Sequence, residues 1–176
     1  MSENTILNAF NNENNPKRLH NKSKLSALTI CGMSDEAFGF HLDKMRANSR
    51  RAPAEQCLIP GSPCFVQGDK EGRYSFKGQK ITFGHHLAAR ERFGAAALEG
   101  VESNKAQDSI TISHLCGTRR CCVASHLILE TKEVNDQRTH CHFVLLNVLR
   151  QSGPQGVQNV LNLGACPHEP KCGTLG

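Results

Sequence analysis

Ser113-His114-Leu115-Cys116-Gly117-Thr118-Arg119-Arg120-Cys121-Cys122-Val123-Ala124-Ser125-His126-Leu127 is the stretch that decides the fold. Cys116, Cys121 and His126 follow a C-x4-C-x4-H spacing, which offers three ligands to one zinc ion. His114 stands off that grid. It lies two residues before Cys116, so on a strand the two side chains point the same way. Asn135 follows His114 by 21 residues in a short polar segment. The expectation is that a metal holds the loop while His114 and Asn135 do chemistry.

A structural zinc site is tetrahedral and closed, so the first set lacks one ligand. Cys57 or Cys64 could supply it and would staple an upstream ribbon to the loop. Cys122 adjoins Cys121, but the equal spacings favour Cys121. A second set is complete by itself: Cys141, then Cys166-Pro167-His168-Glu169-Pro170-Lys171-Cys172, in which the last three ligands read C-x-H-x3-C.

Composition agrees with metal. Nine cysteines are an odd number for a disulfide framework. The start, Met1-Ser2-Glu3-Asn4-Thr5-Ile6, has neither a basic nor an apolar leader region, so an intracellular, reducing compartment is expected. No run approaches the roughly 18 apolar residues of a membrane span. Hydrophobic residues are 38% of the chain and aromatic ones 5%, a thin supply for a core that bound zinc would supplement. A formal charge of +5 is compatible with nucleic acid and no more than that.

The rest of the chain arranges itself around this stretch. Residues 1–30 read as an Asn-rich basic arm without stable structure, and Pro16-Lys17-Arg18 could serve as a nuclear address. Residues 31–176 read as one domain. Ser34 can N-cap a helix over 33–51, in which Phe38, Leu42 and Met45 share a face. Residues 57–83 read as an antiparallel meander with turns at Pro60-Gly61, Gly68–Gly72 and Gly78. Its strand Arg73-Tyr74-Ser75-Phe76-Lys77 turns Arg73, Ser75 and Lys77 to one face, and a ribbon of this size fits the major groove of DNA. Residues 84–99 read as a helix, with His85 and His86 as packing or surface histidines. Ser109–Leu115 alternates as a strand with Ile110 and Ile112 inward. His126–Leu129 returns, and Thr131 caps a helix carrying Asn135. Val144–Leu149 reads as a helix or a partner-facing segment, followed by a Gly/Pro/Gln linker.

His114 itself has three readings: a further metal ligand, a core histidine, or a general base. The last gains from Asn135. Mg²⁺ prefers oxygen ligands and keeps several waters, so one amide oxygen plus phosphate oxygens makes a minimal site. A neutral imidazole can take a proton from water. An arginine near a scissile phosphate would stabilise charge, and Arg73 is the candidate.

The match of Ser-His-Leu-Cys, Thr-Arg-x-Cys, His-Leu and the later Asn resembles the His-Cys box homing endonucleases, members of the ββα-metal (His-Me finger) nucleases. Cys141 through Cys172 is similar to that family's second zinc site. Cys64-x3-Gly68, Gly72-Arg73-Tyr74, Gly78-x-Lys80 and His86-Leu87-Ala88 resemble its DNA-binding ribbon and following helix. The resemblance covers residues 57–172. It implies an α+β fold: a zinc-stapled ββα-metal core, with the ribbon, first zinc site and catalytic residues within 57–140 and the second zinc site within 141–176. The activity it implies is Mg-dependent, site-specific cleavage of double-stranded DNA, of the kind that mobilises introns. His114 would be the base, Asn135 the Mg ligand, and Cys64 the fourth ligand beside Cys116, Cys121 and His126. Arg73, Ser75, Lys77 and Lys80 would meet DNA, and a homodimer would match a near-palindromic site. Two features depart from the family pattern: a longer insert between Cys141 and Cys166, and no tail-exchange segment after Cys172. The rival reading is a non-catalytic zinc-containing module that binds DNA or protein. Zinc folding alone would need neither His114 nor Asn135.

Overall fold

The structure, a computed structural model, describes residues 22–67, 73–76, 79–101 and 106–175, with the backbone alone for 22–25, 73–76 and 79–82. It is a mixed α+β fold. Helices α1 (Lys22–Cys31) and α2 (Asp35–Ala47) lead into strands β1 (Arg50–Arg51), β2 (Phe65–Val66), β3 (Arg73–Phe76) and β4 (Gln79–Phe83). Helix α3 (Gly84–Phe93) follows, then β5 (Ile110–His114), β6 (Leu127–Thr131) and the long α4 (Lys132–Asn162). The strands form three separate antiparallel pairs, β1–β2, β3–β4 and β5–β6.

The largest core is helical. Ala27 and Ile30 of α1, Leu42 and Met45 of α2 and Leu87, Ala88 and Ala89 of α3 pack on Ile112 and Leu127 of the β5–β6 pair. Ser34 caps α2 as its sequence position predicts, accepting from the Ala37 amide at 3.2 Å. Arg90 is buried and closes the end of α1: its guanidinium donates to the Ile30 and Met33 carbonyls, both at 2.7 Å, and to Asp35 at 2.6 Å. A cation at a helix C-terminus satisfies carbonyls that the helix leaves unpaired.

Two smaller cores are built from cysteines. One combines Ala52, Ile59, Val66 and Leu115 with Cys64, Cys116 and Cys121. The other combines Leu58, Leu145, Val157 and Leu161 with Cys166 and Cys172. Partly buried Val123 and Ile128 pack against the first, and Leu146, Val148, Leu149 and Val160 against the second, so each is a small core centred on sulfurs.

Several expectations change. Residues 22–30 are not part of an unstructured arm, because Ala27 and Ile30 give α1 a face to bury; residues 1–21 lie outside the described residues. The stretch 57–83 is not one meander. Phe65–Val66 pairs back to Arg50–Arg51, which ends α2 early, and the β3–β4 hairpin stands apart. Helix α3 stops at Phe93 because Gly94 takes φ +83°, and a 3-10 turn, Ala96–Leu98, follows. Ile110 is exposed, whereas Thr111, Ile112 and Ser113 are all buried, because β5 is covered on both faces by α3 and α4. The Gly/Pro/Gln segment is helical: α4 breaks at Gly153 (φ +67°) and restarts at Pro154, a residue suited to a first helical turn. No described helix is long and apolar enough to cross a membrane.

Candidate metal centres and catalytic cleft

Cys64, Cys116, Cys121 and His126 converge, with their donor atoms all within 4.8 Å of one another. All four are fully buried. His126 Nδ1 lies 3.6 Å from Cys64 Sγ and 3.4 Å from Cys121 Sγ. Tetrahedral zinc, with bonds of about 2.3 Å to sulfur and about 2.0 Å to nitrogen, separates such atoms by about 3.5 Å. The other imidazole nitrogen, Nε2, is 2.8 Å from Ser62 Oγ, a second contact that orients Nδ1 toward the sulfurs. Hydrogen bonding from Cys116 holds the Cys121 thiol well below its ordinary range, and Cys116 is pushed up in return. Sulfurs this close share protons that a dication would replace.

The backbone shows why the fourth donor is Cys64. The Cys64 carbonyl accepts from Ala52 N at 2.8 Å, Cys122 N donates to the Phe65 carbonyl at 2.7 Å, and Val66 bridges to Cys121. These bonds lay β2 against the loop. Cys57 falls outside the quartet, with its Sγ 3.4 Å from the Ser62 carbonyl. Cys122 faces the other way: a Cβ on Gly84 would come within 2.8 Å of its sulfur, so the start of α3 needs glycine there.

Cys141, Cys166, His168 and Cys172 converge equally. His168 Nδ1 lies 3.4 Å from Cys166 Sγ and 3.5 Å from Cys172 Sγ. The Cys172 amide donates to Cys166 Sγ at 3.2 Å. This cluster is fixed to β6 and α4 by Arg138, a residue the sequence reading did not single out. Arg138 is fully buried. It donates to Glu130 Oε1 and Oε2 at 3.0 and 2.9 Å, to the Pro170 carbonyl at 2.9 Å and to Cys172 Sγ at 3.5 Å. Glu130 is 8% exposed, so removing Arg138 would leave a carboxylate buried without its partner. Arg138→Ala is expected to destabilise the zinc-loaded protein by about 3–5 kcal/mol. Denaturant unfolding checks this; an unchanged midpoint would contradict it.

The end of β5, the loop after it and α4 frame a cleft of 230 Å³ lined by His114, Gly117, Arg119, Asn135, Thr139, His142, Phe143 and Leu146. Thr131 caps α4, accepting from Val134 N at 3.4 Å, and so places Asn135 in the first turn. His114 Nε2 lies 3.2 Å from the Cys121 carbonyl. A carbonyl only accepts, so Nε2 carries the hydrogen and Nδ1 keeps a lone pair. Burial pulls His114 down to about 4 despite that bond, so the ring is neutral at pH 7. Ser113 Oγ lies 3.1 Å from Asn135 Oδ1, and Asn135 Nδ2 lies 3.0 Å from Thr111 Oγ1.

His86 is a packing residue, 1% exposed, and His85 sets its ring 5.1 Å from that of His114. Sequence gave no sign of the second contact. Arg119 stands in the Thr-Arg-x-Cys part of the quoted stretch but carried no expected role, and it lines the cleft. Arg73, Ser75 and Lys80 lie on the β3–β4 hairpin, where the backbone alone is described, and Lys77 lies outside the described residues.

Residues 63–175, more than half of the chain, match the family described as the zinc-binding loop region of homing endonuclease. The match contains both Cys/His clusters and both His114 and Asn135. No curated protein and no solved structure matches the chain.

Proposed function

The chain belongs to the homing-endonuclease zinc-binding loop family, and from that premise we propose that it is a metal-dependent endonuclease cutting double-stranded DNA at a specific site. One observation carries the reading: His114 and Asn135 share a cleft with Arg119, on a strand and a helix that the two Cys/His clusters tie down. A metal centre that only folds the chain needs none of these three.

His114 Nδ1 takes the proton of the attacking water, while Nε2–H holds the ring on the Cys121 carbonyl. Arg119 pairs with a phosphate oxygen and offsets charge as the pentacovalent phosphorus forms. Arg73, on β3, is a second candidate for that task. Asn135 Oδ1 would hold Mg²⁺, a hard cation that takes oxygen donors, with the other positions left to waters and phosphate oxygens. When bound, Mg²⁺ supplies charge stabilisation to the phosphate and the leaving oxygen. The zinc ions of the two clusters are structural. The β3–β4 hairpin enters the major groove with Ser75, Lys77 and Lys80 beside Arg73, and a homodimer addresses two half-sites. The setting is intracellular and nuclear, and the biological outcome is intron mobility.

Asn135→Ala tests this at the metal. It is expected to abolish Mg-dependent cutting of duplex DNA while DNA binding and zinc content stay at wild-type levels. Equal cutting by the variant would overturn the metal assignment. Zinc-loaded wild type that binds DNA without cutting would move the reading to a binding module.

A further inference from the structure

We propose that Thr111 and Ser113 are positioning residues that fix which way the Asn135 amide faces, through a one-directional hydrogen-bond chain from the β6 backbone to the Asn135 oxygen. The inference rests on the nuclease reading above, in which Asn135 Oδ1 holds the divalent cation.

A carboxamide has nearly the same shape when turned over, but its two ends have opposite chemistry. Oδ1 can ligate a cation. The NH₂ group cannot, and it would present hydrogens to the ion. Nothing in the shape of an asparagine site chooses between these, so the neighbours must choose.

The choice starts at β6. Thr111 and Glu130 are register partners across the β5–β6 pair. Thr111 Oγ1 lies 3.3 Å from the Glu130 backbone carbonyl, which only accepts. The single hydroxyl hydrogen of Thr111 is therefore committed there. Toward Asn135 the threonine can offer only a lone pair, so the amide group 3.0 Å away must be the donor, Nδ2. That places Oδ1 at Ser113, whose hydroxyl donates to it at 3.1 Å. Ser113 occupies one lone pair of Oδ1, and the second remains for a cation.

The setting strengthens the chain. Thr111 is 5% exposed and Ser113 1% exposed, so little water competes for these bonds. Residues i and i+2 share a strand face, so both hydroxyls present themselves together. A strand buried on both faces would ordinarily carry aliphatic side chains there. Two buried hydroxyls, each bonded to the same amide, are accounted for by the task of orienting it.

Thr111→Val removes the hydroxyl and keeps the β-branched shape, whereas Thr111→Ser keeps the hydroxyl. The measurement is Mn²⁺ affinity of the zinc-loaded protein on duplex DNA, which supplies the phosphate oxygens, followed by electron paramagnetic resonance, with DNA alone as the background and zinc content as the control for folding. Wild type is expected to show an Mn²⁺ site that Asn135→Ala removes. Thr111→Val should lower that affinity by about 10–100-fold, the usual effect of losing a partner behind a metal ligand, and Thr111→Ser should stay near wild type. In Asn135→Asp both ends of the side chain are oxygens, so adding Thr111→Val should then change the affinity little. If wild type binds Mn²⁺ through Asn135 and Thr111→Val binds it equally well, the positioning role is overturned while the metal assignment stands. If Asn135→Ala leaves Mn²⁺ binding unchanged, the nuclease reading of Asn135 fails and this inference falls with it.

Discussion

Cys121→Ser is expected to abolish the cooperative fold rather than weaken it. Cys121 sits at zero exposure, in a small core whose buried apolar partners are Ala52, Ile59, Val66 and Leu115, with Val123 and Ile128 packed at its edge. The same residue bridges to Val66 of β2, so the cluster joins the loop to the β1–β2 pair. Structural zinc contributes about 10–16 kcal/mol in small zinc-folded peptides, against a net stability of about 5–15 kcal/mol for a whole domain. Losing one of four ligands therefore removes most or all of what holds this half together. Zinc per chain and a thermal melt check it. Cys122→Ser is the control and should keep both zinc ions, since Cys122 lies outside the quartet. A Cys121→Ser protein that melts cooperatively with two zinc ions would show the ligand set to be wrong.

His114→Ala is expected to lower cleavage by at least about 10²–10⁴-fold, the contribution of a positioned general base. Its structural cost should be modest. Among the described residues the side chain makes one hydrogen bond, to the Cys121 carbonyl at 3.2 Å, and a ring contact with His85. Deleting a single such bond costs about 1–3 kcal/mol where a buried acceptor is left unpaired. Zinc content and DNA binding should hold. Loss of zinc in this variant would make His114 a ligand and remove the base from the mechanism.

Much of this site was legible because its residues are close in sequence. Cys116, Cys121 and His126 lie on one short loop, and the capping threonine and Asn135 lie within one helical turn of each other. N-capping is a local rule, and it held for Ser34 and Thr131, while β5 and β6 pair where the sequence placed two strands. What sequence left open depends on long-range pairing. Between Cys57 and Cys64, the choice follows from β2 pairing with Arg50–Arg51 and bridging to Cys121. Arg138 gave no signal because its partners are a strand carboxylate and a sulfur from the distant second cluster. Ile110 is exposed because it is the first residue of β5, at the end of the strand, whereas the next three residues are buried on both faces. The helix after Gly153 was hidden by its Gly, Pro and Gln content, although Val157 and Leu161 recur at helical spacing and both are buried.

The role proposed for His114 is that of a neutral general base in DNA cleavage, on a strand tied to the Cys/His clusters. It is tested most directly by incubating zinc-loaded protein with a randomised duplex pool and Mg²⁺ and sequencing the new ends, with His114→Ala in parallel. The expected result is ends that share one sequence, present with wild type and absent with His114→Ala, from protein carrying two zinc ions per chain, the number the two clusters would hold. Random ends, or the same ends from both proteins, would contradict it.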